Sequence, residues 1–265
     1  MINRMHSMTF YAALRREVAE HRLNRFMHVH VTLCAAVALL PLFTPDAAAR
    51  SAAAWILPSV LYCLSLSALL LGLSAAHGDA EEFPVLFTQP VSRAAWLAGK
   101  AAAIVAMLVP ASALLVLPAV LLGGVTTALV GVAAAAAGVC IALALLGLAA
   151  GFWVRDHVRG LLLALGLWFG LLFGMDLVLL ALSGAPWVHA HAGGWVLPLM
   201  VNPLSALRVT MTFGLEQTAP ASIGAGGLVQ WWLAHGGTWL ALMLSTWMAG
   251  MFDMALLGAR RRLDL

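Results

Sequence analysis

Two carboxylates stand inside runs that otherwise carry no charge, Asp176 and Asp253. At the centre of a membrane helix each would cost about 2.5–3.5 kcal/mol, so such residues face a bundle interior or water. Asp176 is the deeper of the two. It reads either as a polar group lining a pathway or making a helix–helix hydrogen bond, or as a protonated acid tolerated by lipid. Asp253 stands about two turns before Arg260 and reads as a residue of the inner mouth. No catalytic constellation accompanies them. Gly99-Lys100 is followed by Ala101 and lacks the preceding glycine of a phosphate-binding loop, so the chain shows no means of hydrolysing ATP. H-E-x-x-H and C-x-x-C are both absent from the sequence, and no metal or cofactor is expected on this chain. His28 and His30 are two apart and do not share a helix face, whereas haem ligation needs facing histidines within a bundle. His189 and His191 have a spacing that suits a metal on a strand but not on a helix, and read as a surface pair. Met243, Met248, Met251 and Met254 are read as packing residues rather than a Cu(I) relay, since only 248/251 and 251/254 are neighbours on a helix.

The elements that must hold these residues follow from composition. Of 265 residues 63% are hydrophobic and 9% charged, against about 45–50% and about 25% in a soluble domain. A globule with so few charges could not cover its surface, which excludes a soluble enzyme. The sequence pI of about 9.1 reflects a net charge of +3 with no concentrated basic face, which disfavours nucleic-acid binding. Cys34, Cys63 and Cys140 lie in apolar runs and are odd in number, so neither a disulfide framework nor a zinc site is suggested.

Crossing roughly 30 Å of hydrocarbon takes about 20 apolar residues. Residues 26–43 form a first such run, closed by Pro41, Pro45 and Asp46, and residues 55–76 a second. Residues 101–154 carry no charge and are too many for one span; Gly123-Gly124 near their middle predicts a hairpin of helices 101–122 and 125–153. Runs 160–183 and 237–258 complete six spans in an all-α polytopic fold, one transmembrane domain over residues 1–265. With the N-terminus inside, twelve of the 14 Lys and Arg residues fall on the inner side; only Arg50 and Arg208 are outside. This split predicts both termini in the cytoplasm. A cleaved signal peptide ending near Ala47-Ala48-Ala49 is disfavoured, because its leading region would be too long and would contain Glu17 and Glu20.

Three segments lie outside the spans. Residues 8–25 read as an interfacial helix, with Phe10, Tyr11, Leu14 and Val18 on one face and Arg15, Arg16, Glu17, Glu20 and Arg22 on most of the rest. Residues 77–93 form the inner connection between spans two and three. There Asp79 and Glu82 fit a capping box, Pro84 sits near the first turn of a short helix, and Gln89-Pro90 ends it. Val85, Leu86 and Phe87 form an apolar tip that either docks on another protein or packs back on the bundle or lipid. Residues 184–236 form a long outer segment. Its tryptophans (Trp187, Trp195, Trp231, Trp232) place it at the interface, and Asn202 as N-cap with Pro203 next starts a helix containing Arg208 that Gly214 stops.

This layout resembles the permease subunits of ABC-2 type transporters, and among them those of nitrous-oxide reductase maturation systems. Leu14-Arg15-Arg16-Glu17-Val18 with Arg22-Leu23-Asn24-Arg25 is similar to the family's opening; Phe87-Thr88-Gln89-Pro90-Val91-Ser92-Arg93 with Gly99-Lys100 to its inner loop; Asn202-Pro203 with Arg208 to its outer helix. The chain departs from the family at Glu82-Phe83-Pro84, where an acidic-Gly-Thr step is usual. The resemblance implies a homodimer in the bacterial inner membrane, two separate ATPase subunits that hold ATP and Mg²⁺, and an outer accessory protein. It makes residues 79–93 the coupling helix, with Asp79, Glu81, Glu82, Val85, Leu86, Phe87, Gln89, Pro90 and Arg93 toward the ATPase, and it places a pathway or line of force along the dimer interface. A secondary transporter is the alternative of another class, but the spans lack a paired set of ionisable groups and an inverted repeat. A membrane enzyme is disfavoured by the absence of clustered His, Asp or Ser at a common depth.

Overall fold

The computed structural model describes residues 2–21, 24–43, 52–78, 92–186, 194, 196–214 and 227–263. Among them every regular element is helical. In chain order these are α1 (Ile2–His21), α2 (Arg25–Phe43), α3 (Ala52–Ser59), α4 (Ser65–Gly78), α5 (Arg93–Leu114), α6 (Leu117–Gly123), α7 (Thr127–Trp153), α8 (His157–Phe169), α9 (Met175–Leu182), α10 (Val196–Val201), α11 (Pro203–Val209), α12 (Gly227–Ala234) and α13 (Gly236–Leu263). π-helical turns at Val60–Leu64 and Gly170–Gly174 join α3 to α4 and α8 to α9, and a third, Thr210–Gly214, follows α11.

Five helical rods are long and apolar enough to cross a membrane: Ala54–Gly78, Arg93–Leu114, Thr127–Trp153, His157–Leu182 and Gly236–Arg261. A sixth is reached when α1 and α2, which meet at 70°, are counted as one span. Alone, α2 has 19 residues, a length of about 28 Å at 1.5 Å per residue, close to the hydrocarbon thickness. The protein is thus an all-α, multi-pass membrane protein.

The third span departs from its expected bounds of 101–122. It begins at Arg93, breaks after Leu114 and resumes as α6. Pro118 explains the break: it has no N–H to give the Leu114 carbonyl, and its ring clashes with that oxygen. The expected hairpin follows, with Gly124 at φ 80° and the Thr126 hydroxyl accepting from Leu129 N–H at 3.2 Å. Only glycine takes that left-handed conformation without strain.

At the centre of the bundle α4 crosses α7 at backbone contact. A Cβ on Gly72 would lie 1.8 Å from the Ala144 carbonyl oxygen, and one on Gly147 2.0 Å from that of Leu69. Small residues allow this approach, which supplies dispersion contacts where lipid removes the hydrophobic drive between helices. Three serines of α4 add polar links, each returning its own proton to a carbonyl of the same rod. Ser65 donates to Leu61 and accepts from Trp168 Nε1 at 2.9 Å; Ser67 donates to Leu64 and accepts from His30 Nδ1 at 2.7 Å; Ser74 donates to Leu71 and accepts from Asn24 Nδ2 at 3.0 Å. These bonds tie α8, α2 and the α2 N-terminus to α4.

The N-terminal helix has other bounds than the expected 8–25. It runs over Ile2–His21, and Asn24 opens the next helix by accepting from Phe26 N–H at 2.9 Å. Among its described side chains Ala13 and Glu17 are buried, while Tyr11, placed on the apolar face by spacing, is 66% exposed. The helix lies against α5, where a Cβ on Gly99 would meet the Phe10 carbonyl oxygen at 2.6 Å and Ala13 Cβ at 2.7 Å. It is therefore packed on the bundle by one narrow face.

Candidate functional site

Polar and charged side chains gather at the two ends of the bundle. At the end that carries the start of α2, Lys100 lies inside α5 with 1% of its side chain exposed. Its Nζ is 2.6 Å from Glu17 Oε1, donates to the Ala75 carbonyl at 3.0 Å, and stands 5.6 Å from the centre of the Trp96 ring. One ammonium thereby joins α1, α4 and α5. An ion pair buried this far has lost its hydration and needs such extra partners. The sequence reading placed Lys100 in the inner segment before span three and Glu17 on the polar face of α1; the structure moves both into the interior. The available signal was the step from Ala13 to Glu17, one helical turn along a face shared with Phe10 and Leu14.

Next to this pair, the two helix ends that flank residues 79–91 are fixed. His77 is buried, its Nε2 donates to the Val154 carbonyl at 3.0 Å, and its ring lies against that of His157, tilted by 35° with centroids 4.2 Å apart. At the far side of the segment Ser92 caps α5 by accepting from Ala95 N–H at 3.4 Å, and Arg93 is the first helical residue. Asp79, Glu81, Glu82, Val85, Leu86, Phe87, Gln89 and Pro90 lie outside the described residues, as do His189 and His191.

At the opposite end Asp176 and Arg208, which the sequence reading considered separately, form one bidentate pair. Arg208 Nη1 and Nη2 donate to Asp176 Oδ2 and Oδ1, both at 2.8 Å. Planar fork-to-fork contact is the strong form of this interaction. The α11 helix that carries Arg208 starts as expected: Asn202 Oδ1 accepts from Leu204 N–H at 3.0 Å, and Pro203 occupies the first turn, where its missing N–H costs nothing. Asn202 Nδ2 also donates to the Leu171 carbonyl at 2.6 Å, anchoring α11 to the π turn before Asp176. A π turn adds one residue to the helix, which rotates all following side chains by about 100°. That rotation sets the direction of Asp176. A cleft of about 40 Å³ lies beside the pair, lined by Leu61, Tyr62, Leu172, Phe173, Leu204 and Ser205. Two of the three π turns among the described residues thus line the cleft, and the third begins two residues after Arg208. The hydrogen-bonded Asp176 carboxylate holds the Arg208 guanidinium above its ordinary value, with burial working against it.

No family model matches the chain, and no curated protein matches it. The remaining sequence candidates fall as follows. Asp253 is exposed on α13 and pairs with no described residue. His28 is exposed, with Nδ1 at 2.9 Å from the Asn24 carbonyl oxygen, whereas His30 is buried, so the two point apart. Met243 is buried, Met248 and Met251 pack against the core, and Met254 is 42% exposed. Among the described residues no group of three His, Cys, Asp or Glu could hold a metal ion.

Proposed function

We propose that this chain is the permease subunit of an ABC-2 type transporter in a bacterial inner membrane, with both termini and residues 77–93 on the cytoplasmic side. It works as a homodimer bound by two ATPase subunits. These carry ATP and Mg²⁺, while this chain is a non-catalytic subunit without a cofactor of its own. Within the family the reading is NosY-like: the dimer supports copper-site maturation of nitrous-oxide reductase by moving a sulfur species or by transmitting force to an outer accessory protein. Export of another substrate is the alternative within the same family.

The observation that supports this best is the Lys100 junction. Residues 79–91 connect α4 to α5, and Lys100 bonds the Ala75 carbonyl of α4 and Glu17 of α1 from within α5. A push on the connecting segment would move three elements as one body, as a coupling element requires. The spans His157–Leu182 and Gly236–Arg261 bury only 11% and 22% of their most apolar windows, which leaves large apolar faces for a second copy or for lipid. A secondary transporter needs no such junction at an inner loop. The test is purification of the tagged chain from native membranes in mild detergent. An ATP-hydrolysing partner of separate chain should co-elute in a stable complex; a monodisperse permease that never carries one would contradict the proposal.

A further inference from the structure

At the end of the bundle that carries the His77–His157 contact, an apolar pocket of about 170 Å³ opens between α2, α4 and α8, lined by Phe26, Leu70, Leu73, Ser74, His77, His157, Val158 and Leu161. For scale, an engineered apolar cavity of about 150 Å³ stays dry and takes benzene. Basic residues flank the lining in sequence. Arg25 precedes Phe26, Arg159 follows Val158, and both are exposed, as is His157. The nearest acid in sequence is Asp156, whose Oδ1 accepts from Arg159 N–H at 2.7 Å and caps α8. Ser74 is occupied by Leu71 and Asn24, so the polar groups of the lining are the imidazoles of His77 and His157 at one end, and the rest of the wall is apolar. An apolar slot between spans with basic residues at its mouth matches an amphiphile that has an acyl chain and an anionic head. Basic pockets between helices on the cytoplasmic side are where phospholipid headgroups bind.

We propose that this pocket is a binding site for an anionic phospholipid of the inner leaflet, its acyl chain against Leu70, Leu73 and Leu161 and its phosphate beside Arg25, Arg159 and His157. The side of the membrane rests on the reading that both termini are cytoplasmic. The pocket is lined by His77 at the end of α4, from which residues 79–91 leave, so a bound lipid would brace that side of the segment's base.

The test uses the full chain, purified in mild detergent and equilibrated with micelles containing equal amounts of phosphatidylglycerol and phosphatidylethanolamine, with retained lipid counted by native mass spectrometry. Wild type should retain phosphatidylglycerol in preference. Arg25→Gln and Arg159→Gln should each lower its retention about fivefold, the effect of one basic residue near an anionic headgroup. Leu161→Trp should lower it at least tenfold by filling the slot, and Leu180→Trp, on a distant exposed face, should not. Should Leu161→Trp fail to elute as a single species, Val158→Trp fills the same slot from a more exposed position. Equal retention of the two lipids, full retention in the Trp variants, or release by 10 mM inorganic phosphate would each overturn the proposal. The first denies headgroup recognition, the second shows that the slot holds no lipid, and the third shows an anion site that uses no acyl chain.

Discussion

Replacing Glu17 with alanine should destabilise the whole bundle, although Glu17 lies in the N-terminal helix and outside the five long rods. The carboxylate is 2.6 Å from Lys100 Nζ, and both side chains are 1% exposed. Removing one partner of such a buried pair costs about 3–5 kcal/mol, mainly because the other charge stays buried. Lys100 keeps the Ala75 carbonyl and the Trp96 face, which favours the lower half of that range. At about 2–4 °C per kcal/mol the melting temperature should fall by roughly 6–16 °C. The assay is thermal unfolding of the detergent-purified chain, followed by the loss of its monodisperse elution peak. Glu17→Leu with Lys100→Met should recover most of the loss, since replacing both members with apolar groups is close to neutral. A shift below 2 °C for Glu17→Ala, or a double variant no better than the single one, would refute the claim that this pair locks α1 to α4 and α5.

Asp176→Leu should destabilise by about 1–3 kcal/mol, between the value of an exposed ion pair and that of an unpaired charge in a membrane. Asp176→Asn, which keeps an acceptor for Arg208, should lose less; equal melting temperatures for the two would remove the pair's structural role. Gly147→Ala should cost about 1–3 kcal/mol by overpacking, while Gly166→Ala, where a Cβ meets nothing within 4 Å, should be neutral or slightly stabilising in the same assay. Single cysteines introduced at Glu81 and Thr218 should react with an impermeant thiol reagent only from inside and only from outside, respectively. The reverse labelling at either position would overturn the orientation.

The spans were legible because charge is scarce: gaps between Lys, Arg, Asp and Glu, with Gly123-Gly124 dividing the longest, mark four of the five long rods to within a few residues. The break at Leu115-Val116 was missed because apolarity runs straight through it, and only Pro118 marks it. Glu17 was placed by a rule that puts acids on solvent faces, and that rule yields when a cation one helix away is equally buried. Asn202 and Pro203 were readable because capping is local chemistry. The pairing of Asp176 with Arg208 was not, because it spans 32 positions and depends on helix phase. The π turn at Gly170–Gly174 resets that phase without leaving a mark in the hydrophobic pattern.

The central proposal is that residues 79–93 receive an ATPase, and the direct measurement is recovery of that ATPase by the solubilised chain when the apolar tip is altered. A buried aromatic anchor contributes a few kcal/mol to an interface, while rim charges mainly steer association. Phe87→Ala, and more so Leu86→Ala with Phe87→Ala, should therefore reduce ATPase recovery at least tenfold while the permease stays monodisperse. Glu81→Ala should reduce it less, and by a smaller factor at high salt. Unchanged recovery for Phe87→Ala, Leu86→Ala and the double variant would contradict the docking role and leave the segment as membrane-surface packing.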